Sequence, residues 1–362
     1  MEVDSSMVAQ RRIIMHAFVD NSDYNAQNLN AREICLRLDP ERFQITLFYQ
    51  DAPDERLADK NNINLIKVPK NRYLASLVVL KHLLSPKYDI YLNVRVFLVD
   101  YLYLKVAKIM ALKKVTIHHI ENTLPYPNKN KYYNKIAKSN ALNCDFIFSV
   151  SKYVAETAQS EYGIVTPVVY VGVDTNVFLP LIDDNRRNEN QVKILYVGSL
   201  QERKRPDYVL KAAKEFPDAV FEIVGTGPLL DKLIYEKEKE NIRNLSIIGG
   251  VSKGELINKY QNADIFLFPS YHEGFPKVTL EAASCGLPVI VFKDYKPETL
   301  IDGVTGFTVD SYEDMLEKLD ELIKNPDLRI EMGKMGRNYV QKFDWNEIVK
   351  RWETHLSTIR SI

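Results

Sequence analysis

The sequence predicts an α/β chain built from two doubly wound parallel sheets, on three observations. Strand-like apolar runs alternate with helical periodicities from residue 12 to residue 171. The alternation breaks at a polar, aperiodic stretch, 179–191 (LPLIDDNRRNENQ), which reads as a linker. It restarts at residue 193 and continues to the final helices. Such alternation implies parallel strands joined by helical crossovers. A chain of 362 residues, 46% of them hydrophobic, is long enough to bury two cores.

In order, residues 12–19 (RIIMHAFV) read as the first strand and 20–25 as a polar loop. Residues 27–38 keep helical spacing through Leu29, Ile34 and Leu38. Strands follow at 43–49 and 65–68, then a helix at 74–84 and a short strand at 90–92. Residues 96–112 form a long basic amphipathic helix, and 115–120 a strand holding His118 and His119 near its end. A helix at 132–142, a strand at 146–150, a helix at 152–162 and a strand at 168–171 complete the first half. In the second half, strands at 193–197, 220–224, 245–248, 265–268 and 288–292 alternate with helices at 206–215, 229–240, 253–262 and 278–285. A turn and short strand at 303–309 and helices at 312–323, 332–343 and 345–359 follow. The predicted domains are 1–178, an N-terminal domain; 179–191, the linker; 192–342, a C-terminal domain; and 343–362, a closing helix.

Lys+Arg and Asp+Glu both number 48, so net charge makes no case for nucleic acid as a partner. The charge is uneven, however. Residues 67–138 hold fourteen Lys/Arg against three acids, Asp89, Asp100 and Glu121, whereas acids predominate over 302–344. A basic first half is the footprint of an anionic partner, with solvated helix faces as the alternative. Lys105, Lys108, Lys113 and Lys114 lie among Leu, Tyr, Ile and Met, and Lys129, Lys131, Lys135 and Lys138 lie near Tyr132 and Tyr133. Such a mixture can dock on an anionic membrane; equally, the apolar face can pack on the sheet with its lysines in water. Cys35, Cys144 and Cys285 are far apart in or beside apolar segments and read as buried thiols in a reducing compartment. The N-terminus lacks the apolar core of a signal peptide. No run approaches the roughly 20 apolar residues that span a bilayer. The expectation is a cytoplasmic protein, with peripheral contact at the inner face of the plasma membrane as its extension.

The chemistry concentrates in 265–290 (IFLFPSYHEGFPKVTLEAASCGLPVI). Residues 265–268 suit a strand buried on both faces, and a loop with Ser270, Gly274 and Pro276 leads to a short helix stopped by Gly286 and Pro288. Glu273 lies in the loop and Glu281 eight positions later in the helix. Backbone N–H groups near Lys277–Thr279 are placed to bind an anion in the crevice where open α/β sheets take ligands. A phosphate held there would lie between two carboxylates able to bind hydroxyls, a geometry suited to a nucleotide sugar. Glu273, Gly274, Phe275 and Glu281 resemble the E-x7-E region of the retaining glycosyltransferases of family 4, and EGFPKVTLEAASCGLPVI is similar to the variant with Pro after the Phe. The resemblance is strong from about residue 146 onward and weaker before it.

That resemblance implies the GT-B fold: two Rossmann-like doubly wound domains facing a cleft, with the last helix, 345–359, crossing back onto the first domain. It implies transfer of a sugar, with retention at the anomeric carbon, from a nucleotide-diphosphate sugar to an acceptor hydroxyl. Glu273 would position sugar hydroxyls and Glu281 ribose hydroxyls. Gly274, Phe275, Pro276, Lys277 and Val278 would contact the donor, the helix start at Lys277–Val278 sharing the diphosphate with Lys204 and Arg203. In LYVGSLQERKR (195–205), Gly198 permits close backbone approach and Lys204 is a compact cation. In the family this segment reaches the donor diphosphate; here Ser199 stands where many relatives carry Arg, and Arg203 is the candidate for the missing charge. Gly225 and Gly227 (IVGTGPL) form a tight turn similar to the family's loop near the nucleotide base.

Relatives keep one His near the transferred sugar. Alternation along a strand turns only one of His118 and His119 toward the cleft; His118 is favoured, and a packed core histidine is the alternative. The loop 20–27 (DNSDYNAQ) departs from the family's Gly-rich turn and leaves the acceptor contact open. Asp183–Asp184 falls in the linker, no D-x-D motif is present, and the family needs no metal, so no cofactor is expected beyond the nucleotide sugar as co-substrate. The implied acceptor is a saccharide, lipid-linked or other hydroxyl compound in cell-surface polysaccharide or glycolipid synthesis. The alternatives are another GT-B sugar-nucleotide enzyme, a dinucleotide oxidoreductase, disfavoured because 20–27 lacks G-x-G-x-x-G, and a catalytically silent sugar-nucleotide-binding protein.

Overall fold

The computed structural model describes residues 10–21, 25–94, 98–110, 112, 114–126, 129–181 and 191–359. Most of the expected linker, including Asp183–Asp184, lies outside the described residues. The chain divides into two compact units, one of Met1–Val171 with Trp345–Ile362 and the other of Gly172–Asp344.

The first unit alternates β1 (Arg11–Phe18), α1 (Ala26–Arg37), β2 (Phe43–Tyr49), α2 (Glu55–Ala58), β3 (Ile63–Lys67), α3 (Arg72–Leu84), β4 (Ile90–Asn93), α4 (Leu98–Ile109), β5 (Val115–Ile120), α5 (Lys131–Leu142), β6 (Phe146–Ser149) and α6 (Lys152–Tyr162). The sheet order is β3-β2-β1-β4-β5-β6, with every pair parallel. Register places Ile13 of β1 against both Ile45 and Ile90, so the apolar runs stack into one core. All six residues of β5 are buried, as a strand covered on both faces requires. Local polar groups set the helix starts: Asn25, Asn71, Asn130 and Ser151 accept from the first-turn amides of α1, α3, α5 and α6.

Three features of the first unit differ from expectation. The four-residue α2 is too short to show a period; it forms because Asp54 caps it and also pairs with the buried Arg32 at 3.0 Å. The strand expected at 168–171 reduces to a single bridge, Ser149 with Val168. Lys114, expected among the surface cations, is buried: its Nζ donates to the carbonyls of Leu83 and of Ser85 (3.0 Å), closing the C-terminal end of α3. Burial pulls its pKa down to about 8.

The second unit runs β7 (Lys193–Val197), α7 (Pro206–Glu215), β8 (Val220–Val224), α8 (Leu230–Lys239), β9 (Leu245–Ile248), α9 (Lys253–Gln261), β10 (Ile265–Phe268), α10 (Lys277–Ser284), β11 (Val289–Phe292), β12 (Gly306–Val309), α11 (Tyr312–Lys324) and α12 (Pro326–Val340). Its sheet order, β12-β11-β10-β7-β8-β9, repeats that of the first unit. Helix α12 starts six residues before the expected 332 because Pro326 occupies its first turn, where proline's fixed φ suits a helix. In each sheet the winding direction reverses beside the unit's first strand: between β1 and β4, and between β7 and β10. The crevice beyond the strand ends at such a reversal is where open α/β sheets hold ligands.

The last helix, α13 (Trp345–Thr358), belongs to the first unit. Trp352 is fully buried, edge-on to His119 at 5.1 Å and to Phe148 at 5.6 Å between ring centroids. Arg11 of β1 donates to the carbonyls of Leu356 (2.7 Å) and Ile359, and Glu353 accepts from the Asp39 amide at 2.8 Å. A cation at the C-terminal carbonyls is the favourable arrangement for a helix dipole.

Candidate functional site

The loops after β7 and β10, the two strands flanking the reversal in the second unit, are stitched together. The Tyr271 amide donates to the Arg203 carbonyl at 3.1 Å, and so does Ser270 Oγ at 3.1 Å. The turn after β8 presses on the same loop. A Cβ at Gly225, whose φ is +152°, would fall 1.9 Å from the Gly198 carbonyl oxygen. One at Gly227 (φ +155°) would fall 2.5 Å from that of Leu200. At 225 and 227 only glycine permits this approach, so these two residues fix the path of the segment that carries Arg203 and Lys204; a Cβ at Gly198 itself would come no nearer than 3.1 Å, to the Tyr196 hydroxyl.

That path brings Lys204 and Arg203 onto Glu273. The Glu273 carboxylate is 8% exposed, and its Oε1 accepts from Lys204 Nζ, from Arg203 Nη1 at 3.2 Å and from Ser270 Oγ at 2.5 Å. Arg203 Nη1 also donates to the His272 carbonyl at 2.8 Å. Lys204 Nζ stands 4.9 Å from the centre of the Phe268 ring, so the ammonium sits between a carboxylate and an aromatic face. Burial lowers the Lys204 pKa; Glu273 opposes that shift and Arg203 adds to it. Two cations against one carboxylate leave an excess of positive charge in a largely buried cluster. A second anion would relieve that excess.

Helix α10 begins at Lys277, next in the chain after Glu273, Gly274, Phe275 and Pro276. Its N-cap, Pro276, provides no side-chain cap. Thr279 Oγ1 turns back to the Pro276 carbonyl at 2.7 Å and meets Thr299 Oγ1 at 2.8 Å, anchoring the first turn. Gly274 is buried, Lys277 and Val278 are half-buried, and Phe275 packs edge-on against Phe343 at 5.3 Å, a contact that sets the helix in the core. Glu281 is half-buried one turn further, accepting from Tyr260 Oη at 3.0 Å; burial raises its pKa.

Three residues that support the site, Ser270, Tyr260 and Arg205, carry no site assignment from sequence reasoning. Ser270 was recognisable only as a loop residue, although its position three before Glu273 suits a local hydrogen bond. Tyr260 lies on another helix, 21 positions from Glu281, with no local signal. Arg205, in the left-handed region at φ 47°, holds its guanidinium 4.7 Å from the Tyr271 ring, 4.8 Å from Phe292 and 5.2 Å from Tyr208, and so pins the loop end beside Lys204.

His118 and His119 lie in the first unit, both buried. His118 Nδ1 donates to the Asn93 carbonyl at 3.2 Å. Burial, with His119 second, pulls its pKa down to about 4, so the ring is neutral at pH 7 and Nε2 is an acceptor. His119 Nε2 donates to the Val169 carbonyl at 2.9 Å, and Nδ1 lies 3.3 Å from Glu121. Its ring meets Trp352, so the two histidines point to opposite faces of β5.

Residues 180–339 match the family model of the glycosyl transferases group 1. The chain is 29% identical over 225 residues to an uncharacterized glycosyltransferase of Methanocaldococcus jannaschii, covering 61% of each. It is 32% identical over 201 residues to the D-inositol 3-phosphate glycosyltransferase of Corynebacterium jeikeium, covering 49% of this chain and 48% of the relative. The chain thus spans about half to three fifths of the length of these curated relatives. Its fold is similar to that of Anabaena HepE, solved with UDP and glucose (TM-score 0.79, 17% identity, 97% of this chain and 100% of that one). It is equally similar to sucrose-phosphate synthase from Thermosynechococcus elongatus (TM-score 0.81, 17% identity, 96% and 99%). By fold the chain is therefore a GT-B protein of two Rossmann-like units, and by sequence its second unit carries the glycosyl transferases group 1 segment.

Proposed function

We propose that this chain is a retaining glycosyltransferase of family 4 that moves a sugar from a nucleotide-diphosphate sugar to an acceptor hydroxyl. The observation that carries the reading is the meeting of Lys204 and Arg203 with Glu273 at the β7–β10 reversal, beside the start of α10. The excess cationic charge there suits a diphosphate. As the sugar–phosphate bond breaks, negative charge grows on the departing oxygen, and preplaced cations and helix amides stabilise that state more than the ground state. The described donors to Glu273 all sit on Oε1, which leaves Oε2 to accept from a sugar hydroxyl. In this reading Glu281 binds the ribose hydroxyls. The departing phosphate oxygen takes the acceptor's proton on the face it leaves, which gives retention without a protein nucleophile. Lys204 and Arg203 supply the charge that a divalent ion would otherwise supply, so turnover is expected to persist in EDTA.

What the similar proteins were solved with supports a nucleotide-sugar donor. HepE was solved with UDP-glucose, and TarM of S. aureus with UDP and an α-GlcNAc-glycerol. The acceptor in our reading is a saccharide or lipid-linked precursor of a cell-surface polysaccharide or glycolipid, used on the cytoplasmic side of the membrane. Among the described residues no helix is long and apolar enough to cross a bilayer.

The test is turnover with a panel of UDP-, GDP- and ADP-sugars, with the anomeric configuration of the product read by NMR. Retention is expected. An inverted product removes the same-face mechanism, and binding of every donor without turnover makes the chain a silent binder. Glu281→Ala is expected to weaken donor binding by about 1.5–3 kcal/mol, the contribution of hydrogen bonds to a charged group. Unchanged affinity in calorimetry removes Glu281 from the donor site.

A further inference from the structure

Helices α3 and α4 are apolar on both sides, and α5 beside them exposes apolar residues among its lysines. Their inner faces join the core of the first unit through Ala75, Val79 and Leu83 of α3, Val99, Tyr103 and Leu104 of α4, and Ala137 of α5. A surface helix would normally be polar on the opposite face. Instead α4 exposes Leu98, Leu102, Lys105 and Ile109, spaced four, three and four apart on one stripe, with Leu102 47% and Ile109 84% exposed. On α3, Tyr73, Leu74 and Leu77 are exposed, Leu77 by 63%, and Lys81 continues that stripe. On α5, Tyr132 and Leu142 are exposed. The three helices pack side by side, α3 on α4 and α4 on α5.

The charges on this face are of one sign. The sequences of α3 and α5 contain no acid, and Asp100, the acid of α4, is fully buried against His16 and Tyr91. The exposed charged residues are Arg72, Lys81, Lys105, Lys108, Lys131, Lys135 and Lys138. None of these forms an ion pair among the described residues, whereas on α11 Lys318 pairs with Glu321 and Lys324 with Asp320. Exposed aliphatic side chains of this extent mark an interaction site. Cations without acids select an anionic partner. Leu and Ile outnumber the exposed aromatics, Tyr73 and Tyr132, and lysines outnumber the one arginine, Arg72, which selects hydrocarbon over nucleic acid.

We propose that the outer face of α3, α4 and α5 docks on an anionic lipid bilayer, with its aliphatic stripes entering the headgroup boundary and its lysines on lipid phosphates. The docking element is thus wider than the basic helix legible in the sequence: α3 adds Leu74 and Leu77 to the apolar residues of α4, while Lys114 contributes nothing because it is buried in the C-terminal cap of α3. The proposal stands apart from the transferase reading, since vesicle binding is read without a sugar nucleotide.

The experiment is co-sedimentation of the full chain with vesicles of phosphatidylcholine alone and of phosphatidylcholine with phosphatidylglycerol. Binding is expected to the anionic vesicles only, and to fall with salt. Leu102→Glu with Ile109→Glu is expected to reduce it by roughly tenfold or more, and Lys105→Glu with Lys108→Glu to weaken it and flatten its salt dependence, both with little change in Tm because these side chains lie on the exposed face of α4. Absence of binding at low salt, or equal binding by wild type and both variants, overturns the proposal. A dimer in sedimentation velocity that Leu77→Glu disperses also overturns it, by assigning the face to a second copy of the chain.

Discussion

Lys204→Ala is expected to lower kcat by about 10²–10³-fold, with a smaller change in donor KM. Removing one preplaced charge or donor from a developing anion has that magnitude. The split between kcat and KM follows because the charge matters most when the diphosphate departs. The pH profile adds a second readout. Catalysis needs the ammonium form, and burial lowers the Lys204 pKa in the free protein. kcat/KM is therefore expected to fall on the alkaline side, at a pH below the ordinary lysine value of about 10.4. Lys204→Arg is expected to erase that limb, because a guanidinium stays charged. If both Lys204→Ala and Arg203→Ala keep wild-type turnover, the phosphate site lies elsewhere.

The second large effect is on stability. Trp352→Ala is expected to destabilise the first unit by about 3–5 kcal/mol, the usual cost of truncating a fully buried large aromatic. The ring touches His119 and Phe148, neither of which can move to fill the space without leaving the sheet. Trp352→Phe separates packing from polarity. Its indole N–H is buried with no acceptor among the described residues, so replacing it keeps much of the ring and removes an unmet donor. The Phe variant is expected to lose clearly less than the Ala variant in urea unfolding followed by circular dichroism. Equal losses would mean that the N–H has a partner worth as much as the ring.

The sheets were legible because both faces of their central strands, β4, β5, β10 and β11, are covered. The apolar run 265–268 needs no period to be read as a strand, and β10 has those bounds. Glu273, Lys204 and Glu281 were legible as residues because the resemblance carries them. Their grouping was not: Lys204 and Glu273 are 69 positions apart, and only the strand order brings their loops together. The neutral state of His118 was invisible for a related reason. Nothing in HHIEN says that the ring is buried on the Asn93 carbonyl. The basic helix near 96–112 was foreseen, but α4 runs Leu98–Ile109 and keeps leucine and isoleucine on its water side, which periodicity alone reads as either face.

The placement of α13 has a consequence for how the chain is made. The first unit leaves the ribosome first, yet it lacks Trp352 and the carbonyls that Arg11 caps until the whole of Gly172–Asp344 has been synthesised. At about 5–20 residues per second, that is a delay of roughly 10–30 s. Through that interval His119, Phe148 and the end of β1 face solvent where a helix will later lie, while the contiguous second unit completes without interruption. The earlier half of the molecule is finished last, and a fragment ending near Val171 would carry that uncovered surface permanently.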